Sequence, residues 1–142
     1  MEPSVSGLKR KQHYRRPYER PFTAEERDRV TILIGGLTRK HEEFIRAVFQ
    51  GCGYRCEILP APDQEAFLLG KEFGNNGQCS PAYFTSGNLI RYLRNLEAEG
   101  MSRQEIADNY LYFTAGSCGP CRFGMYAAEY RLALKNAGFD GF

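Results

Sequence analysis

The segment from Val30 to Leu59 constrains the fold most, because its apolar period changes twice. Val30-Thr31-Ile32-Leu33-Ile34 is a compact, β-branched run that stops at Gly35-Gly36, and it predicts a buried strand. From Arg39 to Gln50 the period becomes helical. Phe44, Ile45, Val48 and Phe49 fall at i, i+1, i+4 and i+5 and make one apolar stripe, which Gly51 and Gly53 end. Alternation returns from Tyr54 to Leu59, with Tyr54, Cys56 and Ile58 on one face, and Pro60 and Pro62 stop that strand. Strand, helix and strand with short connections form a βαβ unit, so two parallel strands with a right-handed crossover are expected.

Asp63 to Pro81 reads as irregular, with Gly70, Gly74, Asn75, Asn76 and Gly77. A helix is expected from Pro81 to Glu99, with Ile90, Leu93 and Leu96 inward and Gly100 as its stop. Ser102-Arg103-Gln104-Glu105 has capping-box spacing and starts a short helix. Tyr110 to Thr114 reads as a third strand, Gly116 to Pro120 as a loop, and Phe139 to Phe142 as the start of a fourth strand. Between them, Arg122 to Ala137 predicts an amphipathic helix burying Tyr126, Tyr130, Ala133, Leu134 and Ala137, with Gly138 ending it. The expected class is α/β: over residues 21–142, a Rossmann-like parallel sheet with flanking helices, an incomplete subdomain.

The 142 residues are one domain's worth, and 42% hydrophobic with 25% charged residues is ordinary for a globular protein. No apolar run approaches membrane-spanning length and no signal-peptide h-region opens the chain, so a cytoplasmic protein with no membrane contact is expected. Five cysteines in that setting should be reduced thiols or metal ligands, and an odd number cannot pair fully within one chain.

Charge is uneven. Leu8 to Arg20 holds six basic residues and one acid, whereas the sequence from Pro21 onward has 13 basic and 15 acidic residues. Residues 1–20 read as a basic, extended or disordered tail or linker. Nucleic-acid binding is the sharper reading, with Tyr14 and Tyr18 available to stack on bases, but nothing downstream continues the basic pattern, so it is not favoured. The Gly35-Gly36-Leu37-Thr38 turn lies where a phosphate could bind, yet it has neither the dinucleotide fingerprint nor the P-loop pattern, and glycine there suits close strand–helix packing.

Cys118-Gly119-Pro120-Cys121 follows a predicted strand and opens a helix, where two thiolates can chelate one metal and helix amides favour negative charge. Cys79 has the same setting, in a Gly/Asn loop just before a helix. Two such loops are expected to converge beyond the carboxyl ends of a parallel sheet, where open α/β sheets bind ligands. Three readings compete. Thioredoxin-like chemistry shares the tetrapeptide but needs further strands and a helix after the redox helix. Only 21 residues follow Cys121, the preceding βαβ is longer than that fold allows, and the chain has no Trp. Structural zinc wants four ligands. The fourth would be Cys52, Cys56, His41 or His13, of which the two cysteines read as core thiols and neither histidine is convincing. An iron–sulfur cluster tolerates a non-cysteine fourth position and ranks slightly above zinc. Asn75, Asn76 and Gln78 read as turn formers, or as donors that tune a cluster.

Gly74-Asn75-Asn76-Gly77-Gln78-Cys79-Ser80-Pro81, Ala115 to Tyr126 around the cysteine pair, Glu129-Tyr130-Arg131 and Ala137 to Phe142 together resemble the CoA-substrate-specific enzyme activases. Those are related to the iron–sulfur subunits of 2-hydroxyacyl-CoA dehydratases. The similarity runs from about Val30 to the last residue. It implies a low-potential cluster, 4Fe-4S, held by Cys79, Cys118 and Cys121 between Rossmann-like subdomains. It also implies an ATP-dependent activase as electron donor and dehydratase (lyase) or ATP-dependent reductase chemistry. Such proteins are much longer and this chain shows no ATPase module, so the expected partners are a longer subunit, the remaining domains of the same system, or a second copy. Activity from this chain alone is not expected. The alternative is a zinc-stabilised or metal-free interaction module within a larger assembly.

Overall fold

A computed structural model describes residues 21–36 and 38–142. The expectations for the basic segment 1–20, and for Leu37 in the Gly35–Thr38 turn, lie outside the described residues. A single 3-10 turn, Ala24–Glu26, is closed by the Glu26 carboxylate accepting from the Thr23 amide at 3.1 Å. Then follow β1 (Thr31–Ile34), α1 (Arg39–Gly51), β2 (Arg55–Ile58), α2 (Gln64–Phe73), α3 (Ser80–Ala98), α4 (Arg103–Asn109) and β3 (Tyr110–Phe113). A 3-10 turn, Arg122–Met125, leads into α5 (Tyr126–Asn136). The three strands form one parallel sheet in the order β2-β1-β3. The chain is therefore an α/β protein with a small Rossmann-like parallel sheet flanked by helices.

Strand alternation builds two cores. Ile32, Ile34 and Cys56 face one side, with Ile45 and Phe49 of α1, Ile58 and Leu111 packed on them. Leu33 faces the other side. There it joins Leu89, Ile90 and Leu93 of α3, Ile106 of α4, and Tyr130, Ala133 and Leu134 of α5. Every residue expected to line the inner faces of α3 and α5 is buried. Each such fully buried aliphatic side chain contributes about 1.5–3 kcal/mol relative to exposure. The capping box of α4 is also present, with the Ser102 amide donating to Glu105 at 2.8 Å and the Glu105 amide donating to the Ser102 hydroxyl at 3.2 Å.

Three expectations change. Asp63 to Pro81 is not irregular throughout: α2 occupies its first half, started by Asp63, whose carboxylate accepts from the Ala66 amide at 3.0 Å. Gly70 belongs to helix packing here. A Cβ at Gly70 would overlap the Tyr83 carbonyl, and one at Gly87 would overlap the Ala66 carbonyl, so α2 and α3 pack backbone to backbone at these two glycines. Phe139 to Phe142 begins no strand. Phe139 is buried, its amide closes on the Leu134 carbonyl at 2.9 Å, and Arg103 stacks on its ring, so the segment finishes α5 instead. Finally, the apolar stripe of α1 is wider than the surface it covers: Ile45 and Phe49 pack on the sheet, while Phe44 and Val48 are 72% and 66% exposed. Among the described residues no helix is long and apolar enough to cross a membrane.

Candidate functional site

Cys79 caps α3 from an extended backbone, with Pro81 in the helix's first turn. The Asn75–Gln78 turn before it passes through Gly77 at φ +78°, a left-handed position that suits glycine. Two side chains hold this turn. The Tyr83 hydroxyl accepts from the Gln78 amide at 3.0 Å and donates to the Asn75 carbonyl at 3.1 Å. The buried Glu129 carboxylate accepts from the Asn75 amide at 2.6 Å and from the Gln78 side-chain amide at 3.2 Å. The Gln78 side chain is thus engaged by Glu129.

The cysteine pair lies on the loop between β3 and the last helical segment. Cys118 and Cys121 are both exposed. Cys121 precedes the Arg122–Met125 turn and its sulfur accepts from the Phe123 amide at 3.5 Å. A Cβ at Gly116 or Gly119 would meet nothing within 4 Å, so the loop has open space around it.

Two side chains join this loop to that of Cys79. Arg122 donates to the Gly77 carbonyl, and the Tyr126 hydroxyl shares a 3.2 Å hydrogen bond with the Cys79 sulfur. That bond holds the half-buried Cys79 thiol below its ordinary pKa. The Ala82 amide at the start of α3 also lowers it, and the charge of Arg122 contributes least. Tyr126 is pushed up, by burial first and by Cys79 next. Its ring is wedged edge-on between Phe123 at 5.3 Å and Tyr130 at 6.2 Å.

The two cysteine loops therefore meet, through side chains. Among the described residues no three or more His, Cys, Asp or Glu side chains gather closely enough to hold a metal ion. By donor type the set suits a thiolate-bound group: three sulfurs in two helix-entering loops, one of them already biased toward thiolate. Of the other candidates, Cys56 is a core thiol pushed up by burial, and Cys52 is exposed at the end of α1. His41 is exposed and hydrogen-bonded to the Thr38 hydroxyl at 2.6 Å, and His13 lies outside the described residues.

A cavity of about 370 Å³ opens beside the first turn of α3, lined by Gly35, Gly36, Pro60, Pro81, Phe84 and Asn88 among others. Two polar contacts on its wall are internal to the fold. Asn88 donates to the Pro60 carbonyl at 2.7 Å, and the Gly35 carbonyl accepts from Tyr112 at 3.1 Å.

Sequence reasoning missed Arg122, Tyr126 and Glu129, which reach across to the Cys79 loop, and Tyr83, which holds the turn of that loop from α3. One signal was present: Arg122, Tyr126 and Glu129 fall at i, i+4 and i+7, one helical face directly after Cys121. Compared with family models, with curated proteins and with solved structures, the chain gives no match.

Proposed function

We propose that this chain is an iron–sulfur cluster-binding domain for low-potential electron transfer, with Cys79, Cys118 and Cys121 as its thiolate ligands. The observation that carries the reading is the closure of the two cysteine loops on each other through Arg122 and Tyr126, which leaves the Cys79 sulfur hydrogen-bonded and biased toward thiolate. When bound, the cluster supplies one-electron chemistry at a potential set by its ligands, nearby hydrogen bonds and solvent exposure. The chain's own part is to hold sulfurs from two helix-entering loops, with helix N-terminal amides and Arg122 offsetting thiolate charge.

The resemblance in the cysteine motifs extends this to a cytoplasmic electron-transfer component of 2-hydroxyacyl-CoA dehydratase or activase-type chemistry, supplied by an ATP-dependent activase and completed by a longer subunit. In the test, the full chain is purified or reconstituted anaerobically with iron and sulfide. Bound iron and sulfide with broad visible absorption are expected; Cys121→Ala should lose most of both, and Cys52→Ala should keep them. Wild-type protein that takes up stoichiometric zinc without sulfide under iron-replete conditions would overturn the reading.

One observation favours a second reading, an interaction module within a larger assembly. Phe44, Val48 and Phe113 are all exposed, and Phe113 packs edge-on against Phe49 of α1 at 5.4 Å, so the thinner face of the sheet presents apolar surface.

A further inference from the structure

The 3-10 turn that follows Cys121 and the first turns of α5 grip the opposite loop at three successive points. Arg122 reaches the Gly77 carbonyl, Tyr126 reaches the Cys79 sulfur, and Glu129 reaches the Asn75 amide and the Gln78 side chain. Glu129 stands out among them. It is a carboxylate only 7% exposed, and both of these donors are uncharged amides. A buried carboxylate is costly to desolvate unless hydrogen bonds compensate it, so a neutral side chain would be the simpler filler here. Its setting also excludes a larger neighbour. A Cβ at Gly74 would stand 2.5 Å from the Gly70 carbonyl oxygen and 2.7 Å from Glu129 Oε1, so glycine at 74 fits the end of α2 and also leaves the carboxylate its space. From the far side Tyr83 bonds both ends of the same turn.

We infer that Glu129 is a positioning residue, whose buried carboxylate clamps the Asn75–Gln78 turn and so fixes Cys79 opposite the Cys121 end of the last helix. What Cys79 then holds rests on the cluster reading above; the clamp itself does not. As a carboxylate, Glu129 also brings a negative charge to the turn that carries Cys79. That charge favours the more oxidised, more positive state of a bound cluster and keeps its potential low.

The test uses the full chain and Glu129→Gln, with hydrogen exchange followed at single amides. The Gln amide oxygen can still accept from Asn75, but the charge is lost and the new amide nitrogen cannot accept from the Gln78 side chain, so exchange at Asn75 should speed by roughly tenfold. The amide of Leu33 in β1 should keep its wild-type rate, which separates local opening from general destabilisation. The second readout is the midpoint potential after reconstitution with iron and sulfide, expected to rise in the variant. Unchanged exchange at Asn75 overturns the clamp. If the wild type takes up no iron or sulfide, the cluster reading fails while the exchange measurement still decides the clamp. Should Glu129→Gln not fold, Gln78→Ala removes one of the two donors. It should speed Asn75 exchange by a smaller factor, and no change there overturns the proposal.

Discussion

Replacing Gly87 with Ala tests the packing on which the candidate site stands. A Cβ built at Gly87 overlaps the Ala66 carbonyl and lies 2.5 Å from the Gly70 amide nitrogen, both of them backbone atoms of α2. Neither can rotate away, so α2 and α3 must separate. Overpacking of this kind costs about 1–3 kcal/mol, and more where backbone has to move. Against it stands the helix propensity of Ala over Gly, about 1 kcal/mol. With rigid backbone as the obstacle, the loss should prevail and leave a net destabilisation of roughly 2 kcal/mol. For a chain of this size that lowers Tm by about 8 °C. Gly51→Ala is the matched control. Gly51 ends α1, its Cβ would meet nothing within 4 Å, and the change should be neutral or stabilise by about 0.4–1 kcal/mol. Urea unfolding followed by circular dichroism reads both. Equal midpoints for Gly87→Ala and wild type would refute the backbone contact. The same logic reaches the site at Gly70, since a side chain there would press on the carbonyl of Tyr83, whose hydroxyl holds the Asn75–Gln78 turn.

That contact also explains where sequence reading stopped. The strands β1, β2 and β3 and the inner faces of α3 and α5 were legible because burial alone sets their periodicity, as Leu33, Leu93 and Ala133 show. The helix α2 was hidden by Gly70, since a glycine reads as a break when its partner is unseen. Yet Asp63 as cap and Ala66 and Leu69 as the buried positions were helical signals in plain view. The outer half of the α1 stripe was legible as apolar but not as exposed. Nothing in Phe44 or Val48 states how much sheet lies beneath α1. The site divides the same way. The helix-entering setting of Cys79 and Cys121 follows from Gly, Pro and the strand that precedes the pair. What joins the loops is polar contact between residues about 45 to 54 positions apart, Arg122 to Gly77 and Glu129 to Asn75. Spacing gives such a residue its helix face, and only the fold supplies its partner.

Two further outcomes are expected. Tyr126→Phe in metal-free protein removes the largest influence that lowers the Cys79 thiol, so the pH profile of Cys79 alkylation should move to higher pH, read peptide by peptide by mass spectrometry. The sign for stability follows. A thiol depressed in the folded state stabilises above its unfolded pKa, near 8.5, and loses that contribution as pH falls through the folded value. The stability gap between wild type and Tyr126→Phe should therefore widen as pH rises from the folded value to the unfolded one and stay constant above it, and coincident alkylation profiles would remove Tyr126 as the cause. The second outcome concerns α1. Phe44→Gln with Val48→Gln replaces two side chains that are 72% and 66% exposed, on a helix interior where Gln is a good helix former. In dilute protein the urea midpoint should hardly move, within about 0.5 kcal/mol, because little apolar burial is lost within the folded chain. If this face docks a partner or a second copy, sedimentation at high concentration should show less association for the double variant. A loss of about 2 kcal/mol or more in the dilute monomer would mean that both side chains are packed against their own chain, and the thin face of the sheet would then be covered from within.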